Sequence, residues 1–352
     1  PARRAGSCIQ HLDAGWISGR VAEYTAGASR FSSTRCAAGM PREWCAMAHG
    51  FKSFLLSAIP WLLLLFMGIA WGLSFSVARI AILNGGMAFG ITFWQNLVCG
   101  SLLLAYSLAR GKPLPMSPRH IRFYFIVAIL GTSVPASCFY LAAEYVSAGV
   151  LAITVTLIPI LTYGMALLLG SEEKSAIRMT GIACGTIAIL MLVVPDTSLP
   201  DRAAIPWVLL ACVSSVCYAL ENIYLARPGA HETGPVRTAC GMNLVSAAIM
   251  GPLAISSGHM FLPSLPFGPL EWAVIGLAVI TAGAYTSFIY VINIAGPLFA
   301  SLCGYLVTLA GVFWGIALFG ETHSVWVWAS LVVMLIGLAL VTPRRPDPDM
   351  AS

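Results

Sequence analysis

The chain has 352 residues, of which 59% are hydrophobic and only 9% charged, and its mean hydropathy is +0.86. A soluble domain carries roughly 25% charged residues, so 19 Lys plus Arg and 14 Asp plus Glu cannot coat a water-facing surface of this size, and a soluble globular protein is excluded. The net charge of +5 makes no case for nucleic acid until it is tested against the tendency of cytoplasmic loops to collect Lys and Arg.

Residues 1–57 form a polar, basic segment: Arg3, Arg4, Arg20, Arg30, Arg35, Arg42 and Lys52 stand against Asp13, Glu23 and Glu43, with no apolar run. A secretory signal needs such a run, so that reading fails. A transit peptide, a disordered cytoplasmic tail and a start-site extension ahead of Met47 all remain open.

Ten apolar runs of the length needed to span a bilayer follow. Five lie at about 59–83, 88–109, 121–142, 147–169 and 177–195, and five more at about 206–226, 237–256, 269–292, 297–319 and 324–342. The runs are continuous rather than alternating, which excludes a β-barrel and predicts an all-α integral membrane protein. With the N-terminus inside, the cytoplasmic loops and tail hold Arg110, Lys112, Arg119, Arg122, Lys174, Arg178, Arg227, Arg237, Arg344 and Arg345. The opposite side holds only Arg202 and Arg79, so both termini are expected in the cytoplasm. Seven cysteines, Cys99, Cys138, Cys184, Cys212, Cys217, Cys240 and Cys303, fall inside spans with no zinc spacing and read as small buried hydrophobes.

The second half repeats the first. Ala148 and Gly149 open one long apolar helix that closes at Gly170 and Glu172; Ala295 and Gly296 open another that closes at Gly320 and Glu321. Trp71 corresponds to Tyr218 and Ser74 to Glu221. Residues 58–195 and 205–342 thus form two five-helix repeats, followed by a short tail, 343–352. Five is odd, so the second repeat enters from the opposite side, an inverted arrangement that carriers use to place a binding site between the halves.

Trp71, Gly72, Phe75 and Arg79 follow the pattern W-G-x-x-F-x-x-x-[KR]; Ser147, Ala148, Gly149, Pro159, Gly170, Glu172 and Gly181 follow a second ordered motif, and Gly320 and Glu321 repeat its end. In these features the chain resembles the EamA-type permeases of the drug/metabolite transporter superfamily over about residues 58–342, with Thr308 where the family usually has proline. The resemblance implies a carrier of small organic solutes, often amino acids or related metabolites, in the cytoplasmic membrane. Export is the favoured direction, and the substrate does not follow from the fold.

Glu221 is the sharpest single residue, because an acid at a helix centre costs about 2.5–3.5 kcal/mol and should face the bundle interior. It reads as a ligand for a substrate ammonium or as a proton carrier, with a packing carboxyl near Arg227 as the plain alternative. Tyr218 shares its stripe, and Trp71 and Ser74 form the facing stripe on the first helix. Gln95 and Asn96 in the second span, Asn243 in the seventh, Tyr285 in the eighth, and Tyr305 and Thr308 in the ninth line the same cavity or bond across helices. Pro159 either hinges the fourth helix or fixes a kink in it. Arg79 is expected to snorkel to the interface, with Glu144 as its one candidate partner, and Glu172 and Glu321 to favour the starts of spans five and ten.

No nucleotide-binding, zinc-hydrolase or serine-nucleophile motif occurs, so neither a cofactor nor a metal is expected. The expected partners are a small solute and lipid, with a second copy of the chain left open. A carrier of phosphorylated or nucleotide-linked sugars is the runner-up. A membrane-embedded enzyme is the competing class.

Overall fold

The computed structural model describes residues 42–170, 174–195, 201–225, 233–301 and 303–341, with the backbone alone at 42–57, 292–299 and 301. Arg227, Glu172, Arg344 and Arg345 lie outside the described residues. In lipid a chain must satisfy its backbone polar groups internally. Accordingly the described residues form helices, with no strand among them.

In chain order these are α1 Arg42–Leu83, α2 Ala88–Ala109, α3 Pro118–Ala143, α4 Ala148–Leu168, α5 Ala176–Val193, α6 Ile205–Leu225, α7 Pro235–Ser256, α8 Pro269–Ser301, α9 Cys303–Phe319 and α10 Val325–Val341. Eight segments are long and apolar enough to cross a bilayer: Ala58–Leu83 in α1, then α2 to α5, Arg202–Leu225 around α6, α7, and Pro269–Val291 in α8. The two others, α9 and α10, are apolar but have 17 residues each, rising about 25 Å against a hydrocarbon core of about 30 Å.

Two boundaries differ from the sequence expectation. Helical backbone begins at Arg42, ahead of the expected start near 59, through a stretch of good helix formers such as Glu43, Ala46, Met47 and Lys52. Ala295 and Gly296, expected to open the ninth helix, lie within the helical backbone of α8. Neither residue removes a backbone donor, so neither by itself ends a helix.

Two prolines do break regular winding. Pro135 cannot donate to the carbonyl of Gly131, four residues back, and α3 widens into a π turn over Ile129–Ser133 just before it. Pro159 leaves the carbonyl of Val155 free in the same way. There α4 divides into Ala148–Val155 and Leu157–Leu168 around Thr156. Ser215 Oγ donates to the Thr154 carbonyl at 2.9 Å, and the Thr154 hydroxyl turns to Leu151 O at 2.7 Å. The kink is therefore braced from α6 at the carbonyl preceding the freed one, by a partner that local sequence does not reveal.

Helix directions follow from their contacts. A side chain at Gly72 would meet Ala310 at 2.6 Å, and Gly68 abuts Leu306, so α1 and α9 run parallel. Gly283 faces Phe66 and Gly276 faces Val77, so α8 runs antiparallel to α1, and the chain has reversed by the time α9 packs. Helices in matching positions of the two halves cross antiparallel. In α2 and α7, Phe93 faces Gly251 and Gly100 faces Leu244. In α4 and α9, Gly149 faces Gly315 and Thr156 meets Thr308. In α5 and α10, Gly181 faces Gly337 and Val341, and Ser330 donates to Ala188 O. Glycines at these crossings let the backbones approach closely, the usual route to helix association in lipid.

Gly72→Leu should therefore lose about 1–3 kcal/mol of stability through overpacking, read as a lower melting temperature of the purified protein. Gly276→Ala meets only Val77 Cγ1 at 3.7 Å and should be neutral or slightly stabilising, because alanine favours helix.

Candidate functional site

Glu221 stands one turn from the end of α6 and is 3% exposed. Its Oε1 accepts a short hydrogen bond from the hydroxyl of Tyr285 on α8, and its carboxylate lies directly against Gly131 in the π turn of α3. A side chain at Gly131 would occupy the carboxylate's position, so only glycine leaves room there. The sequence joins Glu221 and Tyr285 as candidates, and the structure brings them into contact. It also adds Gly131, which carries no polar atom to draw attention.

An aromatic belt runs from this carboxylate around four helices and back to it. One turn from Glu221, Tyr218 lies 6.4 Å from Phe139 of α3, and Phe139 meets Phe75 of α1 edge-on at 5.7 Å. One turn from Phe75, Trp71 meets Phe288 of α8 edge-on at 5.5 Å. Phe288 is one turn from Tyr285, whose hydroxyl returns to Glu221. Trp71, Phe75, Tyr218 and Phe288 keep accessible surface. Ser74 is half-buried between them in sequence and turns its hydroxyl to Trp71 O at 2.6 Å.

Gln95 and Asn96 build a polar layer beside the belt. Gln95 donates to Thr281 of α8 at 2.9 Å and accepts a short bond from Tyr140 of α3. Asn96 donates to Ser246 of α7 at 3.0 Å and accepts from Thr132 of α3 at 2.8 Å, while Ser133 and Ser246 share a bond of 2.7 Å. Asn243 is fully buried and donates to Ala239 O of its own helix at 2.7 Å. Its Oδ1 finds no partner among the described residues. Thr308 lies at the crossing of α4 and α9, bonded to Thr156 at 2.7 Å and to Gly304 O at 2.9 Å. Pro159 and half-buried Tyr305 flank Gly304 at that crossing. The candidates thus divide into the belt with its carboxylate, the α2–α3–α7 polar layer, and the α4–α9 crossing.

Arg79 and Glu321 do not have the partners expected of them. Arg79 pairs with Glu321 at 2.6 Å and lies 5.1 Å above the ring of Phe319. Glu321 accepts from the backbone N–H groups of Ala148 and Gly149 at 2.9 and 3.1 Å, so it caps α4 of the other repeat and not the helix that follows it. Gly320, at φ +62°, permits this reversal, since a side chain resists that backbone region.

A half-exposed aromatic belt closed by one carboxylate can hold an apolar solute, and the carboxylate can hold a cationic group or a proton. The EamA-like transporter family pattern matches residues 58–194 and again residues 205–342. The chain belongs to that family. The uncharacterized inner membrane transporter YedA of Escherichia coli (strain K12) is 28% identical to this EamA-like protein over 286 residues, 78% of the chain and 87% of the relative. The same transporter from the O6:H1 and O157:H7 strains matches to the same extent. A chain of known crystal structure superposes with a TM-score of 0.56 at 18% identity, covering 81% of this chain and 96% of that one, which shows the shared fold alone. With its apolar helices the chain is a multi-pass protein of the inner membrane, and its family and relatives carry the names of transporters, not enzymes.

Sequence reasoning missed Phe139 and Phe288, because a phenylalanine in a span looks like any other lipid-facing or core residue. The spacing of Phe288 three residues after Tyr285 was the only signal available.

Removing the donor in Tyr285→Phe should cost about 1–2 kcal/mol of thermal stability. Gly131→Ala should cost about 1–3 kcal/mol by displacing the carboxylate. Melting curves of the two single variants and the double variant check this: because both act on one carboxylate, their effects should be non-additive.

Proposed function

We propose that this EamA-like protein is a secondary transporter that exports a small organic metabolite, amino-acid-like or drug-like, across the cytoplasmic membrane by alternating access coupled to protons. The observation that carries the reading is the buried Glu221 carboxylate, bonded to Tyr285 and closed into a belt of aromatic rings contributed by both halves of the chain. Substrate and proton use that one acid: Glu221 holds the proton on one stroke and the polar end of the substrate on the other. Trp71, Ser74 and Tyr218 line the apolar body of the solute. Gln95, Asn96, Asn243 and Tyr285 supply polar contacts, while Pro159, Tyr305 and Thr308 form the α4–α9 crossing that repacks as the site changes sides.

In this reading the chain crosses the bilayer ten times as two inverted repeats, 58–195 and 205–342, with both termini cytoplasmic. Support comes from the antiparallel crossing of α5 with α10 and of α4 with α9, which carries the two shorter helices through the same layer as their partners. The distribution of Arg and Lys between the two sides supports the orientation. The runner-up, a carrier of phosphorylated or nucleotide-linked sugars, would call for cations where the anion sits. The belt contains one carboxylate and no Lys or Arg.

The test starts with a screen of amino acids and organic amines for thermal stabilisation of the purified protein, followed by counterflow of the hits in proteoliposomes. Wild-type flux should rise with an opposing proton gradient. Glu221→Gln should lose the gradient dependence and at least tenfold of the flux. Wild-type flux by Glu221→Gln at every pH would eliminate the proton-carrier role, and chemical conversion of the solute without redistribution would eliminate transport.

A further inference from the structure

At the end of the bundle away from Glu221, three elements are tied at one carboxylate. Arg79 comes from the last turns of α1, the Ala148 and Gly149 N–H groups open α4, and Glu321 follows α9 after the left-handed turn at Gly320. The Arg79 guanidinium also covers the Phe319 ring. The pairing sits in a partly dry setting, with side-chain exposures of 29% for Arg79 and 6% for Glu321. His323 completes the surroundings, its Nε2 3.5 Å from Glu321 Oε2, beside Gly149 and edge-on to Trp328. Burial pushes the His323 imidazole below its ordinary value against the opposing pull of Glu321, so at neutral pH Arg79 is the cation of this cluster.

We propose that Arg79 and Glu321 form a latch that holds the outer face of the transporter closed, with the open end of α4 as its catch. The proposal rests on the alternating-access reading and deepens it by naming the gate. Three features carry it. The contact joins the two repeats, so it cannot persist through a movement of one against the other. It is concentrated at a single side chain, which binds a cation and two backbone donors together and releases all three on leaving. A carboxylate at a helix N-terminus also satisfies N–H groups that α4 cannot satisfy itself, so opening exposes those donors to water and costs little beyond the lost ion pair.

The test uses a full-length protein with its native cysteines replaced and a single reporter, Ser74→Cys, in the belt. Right-side-out and inside-out vesicles are treated with a charged, membrane-impermeant thiol reagent. Glu321→Gln should raise the outside labelling rate about tenfold and lower the inside rate in step, with Glu321→Asp between it and the parent. Rates for Glu321→Gln within twofold of the parent from both sides overturn the latch. So does labelling that rises from both sides together, which marks a loosened fold rather than a released gate. A parent labelled from one side only, whose ratio no variant alters, together with wild-type protein that gives no counterflow, overturns alternating access itself.

Discussion

A single carboxylate in the dry interior organises the central region of this protein. An acid buried in a membrane helix is costly, at most about 2.5–3.5 kcal/mol at the helix centre, and Glu221, buried one turn from the end of α6, offsets part of its cost through the Tyr285 hydroxyl. It needs space as well as a donor. The π turn around Gly131 supplies the space, and Pro135 frees the backbone that makes the turn. π turns of this kind are frequent at functional sites, and here the widening faces the only carboxylate of the belt. The three helices that hold the acid, α3, α6 and α8, also contribute rings of the belt, which Trp71 and Phe75 of α1 complete.

The proposed alternating access requires two arrangements of the surrounding bundle, and the crossings between matching helices are where they would differ. Glycines bring α2 against α7, α4 against α9 and α5 against α10. Contacts between small residues can slide with little side-chain rearrangement, whereas the ion pair of Arg79 with Glu321 is either made or broken. The polar layer of Asn96, Thr132, Ser133 and Ser246 adds a third kind of contact, bonded sideways between α2, α3 and α7, that fixes register without a net charge. Crossings, bonded layer and end latch all join one half to the other: the crossings can slide, while the Asn96–Ser246 and Ser133–Ser246 bonds and the Arg79–Glu321 pair must be kept or broken.

Much of this was legible in the sequence because lipid leaves few choices. Continuous apolar runs can only be helices, and the recurrence of Ala-Gly pairs and Gly-Glu closings revealed the duplication, although the second pair, Ala295 and Gly296, lies inside α8 and opens no helix. Glu221 stood out because charges are scarce, and Tyr285 because a hydroxyl in a span needs a partner. What local sequence could not supply were relations between distant segments. The pairing of Arg79 with Glu321 spans 242 positions, and nothing near either residue points to the other. Glu321 looked like a cap for its own following helix because sequence proximity favours that reading, whereas the positive φ of Gly320 turns it toward α4. The π turn escaped notice because Pro135 would by itself suggest only a kink. Phe139 and Phe288 escaped because an aromatic ring shows its purpose only through the rings it touches.

The central claim is that Glu221 gains and loses a proton inside the folded protein. Infrared difference spectra of the reconstituted protein, recorded between high and low pH for the wild type and for Glu221→Gln, address it without knowledge of the substrate. A carboxyl C=O band that titrates in the wild type and vanishes in the variant is the expected result, with a further change in Tyr285→Phe. Identical difference spectra for wild type and Glu221→Gln would contradict the account, reducing Glu221 to a packing group of fixed protonation.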